Sequence, residues 1–518
     1  MGFLEPNRTW IEETVLADLV PAEAKCRFVV ELVGQLDLSA LYRDYASQGG
    51  AAYDPATMLA TWFFAYSEGL TSTRKLERQC RRDVHYLYVS GRLHPDHCSL
   101  SRFRARHLDR MPDYFLQMLL LAKRRGLTTF ADIGIDGTVM QASASAKRSK
   151  DSEGLARLLD RVRRRIDTYL ARCQREDEVE TEDEALEAVE DRAALQAELA
   201  RLQALDATIM ERQAQLEARK KTLKAEHRAR HQINLTEAEA TNHAGNPGYN
   251  AQVAVDLKTR LIVSADVVTD RNDRGQLLPQ YEQVEQHLGP NPERSYTVDA
   301  GYHSLEALEQ VAERQIDVVI NDPTPQQRSP SVAVPMASAA ALLEADKPLV
   351  RSDFRYDAEA DCYVCPGGDQ LVFTGEQKRK ERTLRLYRAG SCSGCVLKAL
   401  CLSPRNKSGL RTVVRDAQED LAEQMLLRLQ DPAARDRLAR RFSTVEPVIG
   451  NVKWNLGLRR FRLRGLAKVR GEFVLMCVGH NLNKLFGLLE ALGCFFRSFV
   501  VGFLRASLWK YKTRGALI

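Results

Sequence analysis

No stretch of the 518-residue chain is apolar for long enough to cross a membrane. The most apolar run, Leu485 to Trp509, is broken by Glu490, Arg497 and Arg505, so it reads as a buried or amphipathic helix. The first residues lack the pattern of a secretory leader. A cytoplasmic protein with no membrane partner is expected. Charge of one sign is not in large excess either: the formal net charge is +6, too small to identify a partner. Local basic clusters say more. They are Arg74-Lys75, Arg78, Arg81-Arg82, Arg102, Arg104, Arg106, Lys123 to Arg125, and Arg459 to Arg470 with Arg460, Arg462 and Arg464 inside it. Clusters of this kind neutralise phosphates and steer a protein toward DNA, although a solvated charged face is the commoner fate of any single one.

Glycine and proline nearly vanish between Lys147 and Gln232, which excludes a turn-rich segment there. Leu195, Leu202, Ile209, Leu216 and Leu223 recur every seven residues, a coiled-coil seam. Leu155, Leu158, Leu159, Val162 and Ile166 form an earlier apolar stripe, and the acidic run Glu176 to Glu184 lies between the two. The segment reads as an antiparallel helical hairpin inserted after the first strand of another domain.

Cysteine is not scarce, with eleven residues. In a cytoplasmic chain they suggest metal more than disulfides. Cys362, Cys365, Cys392, Cys395 and Cys401 are clustered. Two C-x2-C pairs fit the knuckles of a tetrahedral thiolate zinc site, but five candidates compete for four places.

The run Ser443-Thr-Val-Glu-Pro-Val-Ile-Gly-Asn-Val-Lys453 offers a carboxylate, Glu446, and a cation, Lys453, seven residues apart. On a helix that is two turns, so both point the same way. Pro447 predicts that the helix starts nearby, capped by Thr444 or Ser443. Two further carboxylates are placed after apolar runs. Asp136 lies in Ala131 to Met140, where Gly137-Thr138 predicts a bend just after it. Asp299 ends the strand-like run from Ser295, ahead of Gly301 and a helical pattern from Ser304 to Gln315. Asp132 is the nearest substitute for Asp136. Hard oxygen ligands of this kind suit Mg²⁺ or Mn²⁺.

The blocks IGIDGT, PGYNAQVAVD, DRNDRGQLLP, YTVDAGYHS, TVEPVIGNVK and LRGLAKVRGEFVLMCVGHNL resemble those of bacterial insertion-sequence transposases of the DDE type. The resemblance implies an α/β fold: an RNase-H-like mixed sheet with an all-helical N-terminal domain, a helical-hairpin insertion and a small Cys-rich, zinc-ribbon-like insertion. It implies Asp136, Asp299 and Glu446 as ligands of two Mg²⁺ or Mn²⁺ ions, with Lys453 as their basic partner. It favours Cys365, Cys392, Cys395 and Cys401 around one structural Zn²⁺, with Cys362 as the alternate. The related signature has a Tyr and an Arg upstream of the glutamate, whereas this chain has Leu438, Arg440 and Arg441.

The expected organisation is a helical DNA-binding domain, helix-turn-helix-like, over 1–127. Three parts of one catalytic domain follow at 128–146, 233–322 and 416–485. The helical insertion spans 147–232, the Cys-rich insertion 323–415, and an apolar and basic tail 486–518. The expected activity is DNA strand cleavage at element ends and strand transfer into target DNA, by a homodimer on double-stranded DNA. An RNase-H-like nuclease that does not join, and a non-enzymatic zinc-containing DNA-binding protein, are the alternatives.

Overall fold

The computed structural model describes residues 16–45, 52–177, 185–222, 231–323, 335–379, 382–404, 406–416 and 419–491. Among the described residues helices come first: α1 (Leu16–Leu19), α2 (Lys25–Gln35), α3 (Ser39–Arg43), α4 (Pro55–Ser67), α5 (Thr73–Arg82), α6 (Val84–Val89), α7 (His97–His107) and α8 (Met111–Arg124). Asp54 caps α4 by accepting from Thr57 N, and Pro55 fits its first turn. Asp96 caps α7 in the same way. α7 and α8 are two separate helices. A 3-10 turn at Leu108–Arg110 separates them, because Pro112 is accommodated only near the start of α8.

β1 (Asp132–Gln141) runs straight through Gly137 and Thr138, which corrects the predicted bend. Both residues are paired with the neighbouring strand, so they continue the ladder. The chain then leaves the sheet. β2 (Ser149–Lys150) pairs with β3 (Ile233–Asn234), and α9 (Ser152–Asp177) and α10 (Ala185–Thr222) lie between them. Leu202, Ile209 and Leu216 of α10 are buried in one cluster with Leu155 and Val162 of α9. The two helices therefore cover each other's apolar stripes. Leu223 and the centre of the acidic run, 178–184, lie outside the described residues, as does 324–334.

The main sheet adds β4 (Thr241–His243), β5 (Asn246–Asp256) and β6 (Ile262–Val268), then α11 (Leu277–Leu288), β7 (Ser295–Val298), α12 (Leu305–Glu313) and β8 (Val318–Ile320). β4 and β6 both pair with β5, and β1, β7 and β8 follow in that order. β5 is antiparallel to β1 and β6, whereas β1, β7 and β8 are parallel. β5 is buried from Pro247 onward, as a strand near the middle of a covered sheet must be.

A second sheet is antiparallel. After α13 (Ala339–Ala345) come β9 (Arg355–Asp357), β10 (Cys362–Val364), β11 (Gln370–Arg379), β12 (Arg382–Ala389), α14 (Lys398–Cys401) and β13 (Thr412–Asp416). Its strands lie in the order β13-β12-β11-β10-β9 over a core of Phe354, Tyr363, Leu371, Tyr387 and Leu397.

The chain returns through α15 (Glu419–Arg428), α16 (Pro432–Gly450), a π-helical turn at Asn451–Asn455 and α17 (Leu466–Ala491). α16 begins at Pro432 under an Asp431 cap, not at Ser443 or Thr444. Pro447 lies in its last turn, where the missing N–H removes a single helix bond. α17 runs past the boundary expected at 485 and buries Leu489; the remaining tail, 492–518, lies outside the described residues. Along its length α17 packs on α4 and α8 on one side and β6 on the other. One apolar core consequently runs from the N-terminal helices into the main sheet.

Candidate active site

Residues two apart on a strand share a face, so Asp132, Asp136 and Thr138 line one face of β1. Beside it β7 ends at Val298. Asp299 then caps the 3-10 turn Ala300–Tyr302 by accepting from Gly301 N at 2.8 Å. α16 crosses this region closely. A Cβ on Gly134 would stand 2.6 Å from Val445 Cγ2 and 3.3 Å from Arg441 Cγ, so the helix can lie this near only over a glycine.

Arg441 is buried at the meeting point. Its Nη2 stands 3.1 Å from Asp136 Oδ2 and 3.8 Å from Asp299 Oδ2, and its Nε donates to Ile135 O at 3.3 Å. Burial pushes the Asp136 carboxyl up to about 6; Arg441 opposes the shift, while Asp299 and Asp273 reinforce it. Arg440 faces Asp132 at 3.6 Å, and Arg437 pairs with Asp317 and donates to Tyr296 O. The arginines of α16 thus tie it to three neighbouring strands.

The π-helical turn that follows carries Lys453. Its Nζ donates to Thr138 Oγ1, two residues along β1 from Asp136. Burial lowers the lysine's pKa, and Asp136 opposes that shift. The turn is braced from behind: Asn451 Nδ2 lies 2.9 Å from His480 Nδ1, whose other nitrogen meets Arg260 O at 2.9 Å. Burial drives His480 down to about 4, so this strut stays neutral at physiological pH. π-turns are rare and often sit at functional positions.

Glu446 is exposed on α16, with no hydrogen bond or ion pair among the described residues. Asp136 and Asp299 meet at one guanidinium nitrogen, but Glu446 does not close on them. Among the described residues, the one trio of possible ligands within 4.8 Å of one another is Asp96, His97 and Cys98. Sequence reasoning gave no role to Asp273, Asn250, Gln252 or Tyr302, which surround Asp136 and Asp299. Asp273 Oδ1 accepts from Asn250 Nδ2 at 2.8 Å and Gln252 Nε2 at 2.6 Å, and Gln252 Oε1 accepts from Tyr302 Oη. The one available signal was that these residues fall inside the blocks PGYNAQVAVD, DRNDRGQLLP and YTVDAGYHS.

Cys365, Cys392, Cys395 and Cys401 line one cavity of about 420 Å³ in the second sheet's domain. Burial pushes the Cys401 thiol up to about 11, and Cys392, Cys365 and Cys395 add to the shift. No three of these sulfurs lie within 4.8 Å of one another. Cys362 is buried within β10, between Asp357 of β9 and Val372 of β11.

The basic clusters divide into free and engaged side chains. Arg74, Lys75, Arg78, Arg81 and Arg82 are exposed on α5, where Arg81 pairs with Glu77 at 3.1 Å, while Leu76 and Cys80 face inward. Arg102 and Arg106 are exposed on α7, and Arg106 donates to Asp44 O and covers the Tyr45 ring. Arg104 departs from the expected DNA contact. Its guanidinium donates to Tyr66 Oη and Thr71 O and stacks 4.6 Å from the Trp62 ring, so it serves the helical core. The loop after the π-turn lies along β1. Phe461 N donates to Gln141 O, Arg460 holds Gln141 Oε1 and Arg464 holds Ser143 O, while Arg459 stacks on Trp454. The buried Glu472 carboxylate accepts the N–H groups of Arg462 and Leu463 and fixes the loop's shape.

The strand order, with one aspartate on the central strand and another just past its parallel neighbour, is that of a mixed sheet consistent with an RNase-H-like DDE core. A family model described as Transposase DDE domain matches residues 364–486, and one described as Transposase domain (DUF772) matches residues 14–106. Together they indicate an insertion-sequence DDE transposase, and with it a DNA substrate and divalent-metal use in general. No curated protein matches the chain. Among the described residues no helix is long and apolar enough to cross a membrane.

Proposed function

We propose that the protein cuts DNA at the ends of its own element and joins the freed 3′ ends to target DNA, with Asp136, Asp299 and Glu446 as metal ligands. The observation that carries this reading is the meeting of Asp136 and Asp299 at Arg441 Nη2. Two carboxylates from adjacent parallel strands there attract a cation, and the guanidinium stands where one would be drawn. The donors are oxygens only, which fits Mg²⁺ or Mn²⁺. Glu446, unengaged on the helix that carries Arg441, is free to complete the set. A bound metal pair supplies activation of the attacking oxygen and stabilisation of the leaving one.

The chain's own groups do the rest. Lys453, beside Asp136 and held by Thr138, places a positive charge where a scissile phosphate would lie. In cleavage, a water oxygen forms a bond to phosphorus as the bond to O3′ breaks, leaving a 3′-hydroxyl. In joining, that hydroxyl attacks a target phosphate. One P–O bond forms as another breaks, so no energy source is needed. The loop with Arg459, Arg460, Arg462 and Arg464, together with Arg74, Lys75, Arg78, Arg81, Arg82, Arg102 and Arg106, supplies phosphate contacts. The four cysteines of the shared cavity hold one structural Zn²⁺, with Cys362 outside the shell. The active form on DNA is a homodimer.

The test is an assay with purified protein, Mg²⁺, a labelled element end and a target plasmid. Cleaved and joined products are expected from the wild type and neither from Asp136→Asn. Cutting without joining would favour a nuclease. End binding that needs neither Mg²⁺ nor Asp136, with no cutting, would favour the non-enzymatic reading.

A further inference from the structure

We infer that Asp273 is a fourth carboxylate of the metal site, presenting Oδ2 to the cation that Asp136 and Asp299 share. The inference rests on the metal site proposed above and adds a ligand to it.

Asp273 comes from the loop between β6 and α11, and the sheet has made room for it. A Cβ on Gly137, the residue after Asp136, would lie 2.3 Å from Asp273 Oδ1. A Cβ on Gly301, two residues after Asp299, would lie 3.2 Å from Asp273 Oδ2 and 3.0 Å from Asp299 Oδ1. Asp273 therefore occupies a slot walled by the two glycines that follow the two aspartates. Oδ2 of Asp273 and Oδ1 of Asp299 both border the space beside Gly301, whose N–H donates to that Asp299 oxygen.

The two oxygens of Asp273 have different surroundings. Oδ1 is taken by the side-chain amides of Asn250 and Gln252. Oδ2 has no hydrogen bond or ion pair among the described residues. Amide donors alone would be satisfied by a neutral acceptor, yet the position carries an anion next to two others. Three carboxylates then face one guanidinium and one ammonium, Arg441 and Lys453. The excess negative charge is costly in a partly buried site unless a further cation is bound. Arg441, already drawn between Asp136 and Asp299, shows that the site attracts positive charge. The bonds to Oδ1 also fix the carboxylate's rotation, and Gln252 passes that constraint to Tyr302 in the turn behind Asp299. Ligands held by such outer bonds are aimed before the metal arrives.

The experiment titrates Mn²⁺ into full-length wild-type protein, Asp273→Asn and Asp136→Asn by calorimetry, with melting curves recorded in chelator. Asparagine keeps an oxygen for the two amides and removes the charge. The expected result is at least a tenfold loss of Mn²⁺ affinity in Asp273→Asn with metal-free melting unchanged or raised. Wild-type affinity in Asp273→Asn alongside a loss in Asp136→Asn would overturn the inference and leave the metal site standing. Undiminished binding in both variants would remove the metal site itself. Lowered affinity together with lowered metal-free melting would make Asp273 a prop for β5, and Asp273→Ser, smaller and neutral, would then reproduce it. Retained Mn²⁺ affinity in a folded Asp273→Ser overturns the inference equally.

Discussion

Arg441 Nη2 lies 3.1 Å from Asp136 Oδ2, a buried ion pair between residues 305 positions apart. Removing the cation leaves Asp136 and Asp299 facing each other across a partly buried gap. Breaking such a pair from one side costs about 3–5 kcal/mol. Arg441→Met should therefore lower the melting temperature sharply in chelator, and saturating Mn²⁺ should restore much of the loss. Melting curves with and without Mn²⁺ decide this. A deficit of equal size in both conditions would show that the guanidinium and the metal do not share a role.

The raised Asp136 carboxyl makes the metal-free fold sensitive to pH. Its folded value of about 6 lies above the unfolded carboxylate value near 3.9. A raised folded value means that the protonated form is favoured in the fold. This contribution is complete below about pH 3.9 and disappears as pH rises through about 6. The difference between the two values corresponds to about 3 kcal/mol. Asp136→Asn should remove that dependence while abolishing cleavage. Denaturant midpoints from pH 4 to 7 in chelator should be flatter in the variant. Parallel profiles in the two proteins would place the titration elsewhere.

Metal analysis of the purified protein should find one zinc per chain. Cys365→Ser and Cys395→Ser should release it, because both sulfurs line the cavity that Cys392 and Cys401 share. Cys362→Ser should retain it, because that thiol is enclosed between strands. Zinc retained by Cys401→Ser and lost from Cys362→Ser would reverse the assignment.

Charge reversal at Arg78 and Arg82 should weaken DNA binding without altering the fold, since both are exposed on α5. If each contacts one phosphate, the slope of log K against log salt should become shallower by about 2. Arg104→Glu should instead unfold the helical region, because its guanidinium bonds Tyr66 and Thr71 over Trp62. Circular dichroism and binding isotherms at two salt concentrations separate these outcomes. An unchanged slope in the double reversal would move the phosphate contacts off α5.

Replacing residues 151–232 by a short Gly-Ser linker should leave the main sheet folded, because β2 and β3 already bring the two ends together. The apolar stripes of α9 and α10 are spent on each other, so little apolar surface would be newly exposed. The shortened protein should keep Mn²⁺ binding and single-end cleavage and lose paired-end joining. Wild-type joining would reduce the hairpin to a spacer.

The sequence alone determined much of what is local. The alternating apolar runs around Asp136 and before Asp299 are strands, and the heptads of Leu195 to Leu216 form a helical seam, because periodicity depends on residues close in the chain. Pro447 misled on the same scale. The proline rule is local, but α16 is held by Arg437, Arg441 and Val445 against the sheet, and that packing outweighs one missing bond. Strand phase was equally out of reach. Cys362 and Cys365 are three residues apart, yet one is enclosed in β10 and the other lines the cavity. The slot for Asp273 is the clearest case. It exists only because β1 pairs with β5 and β7, which brings Gly137, Gln252 and Gly301 around one loop carboxylate. A carboxylate's surroundings are set by such long-range pairings, and spacing along the chain carries no record of them.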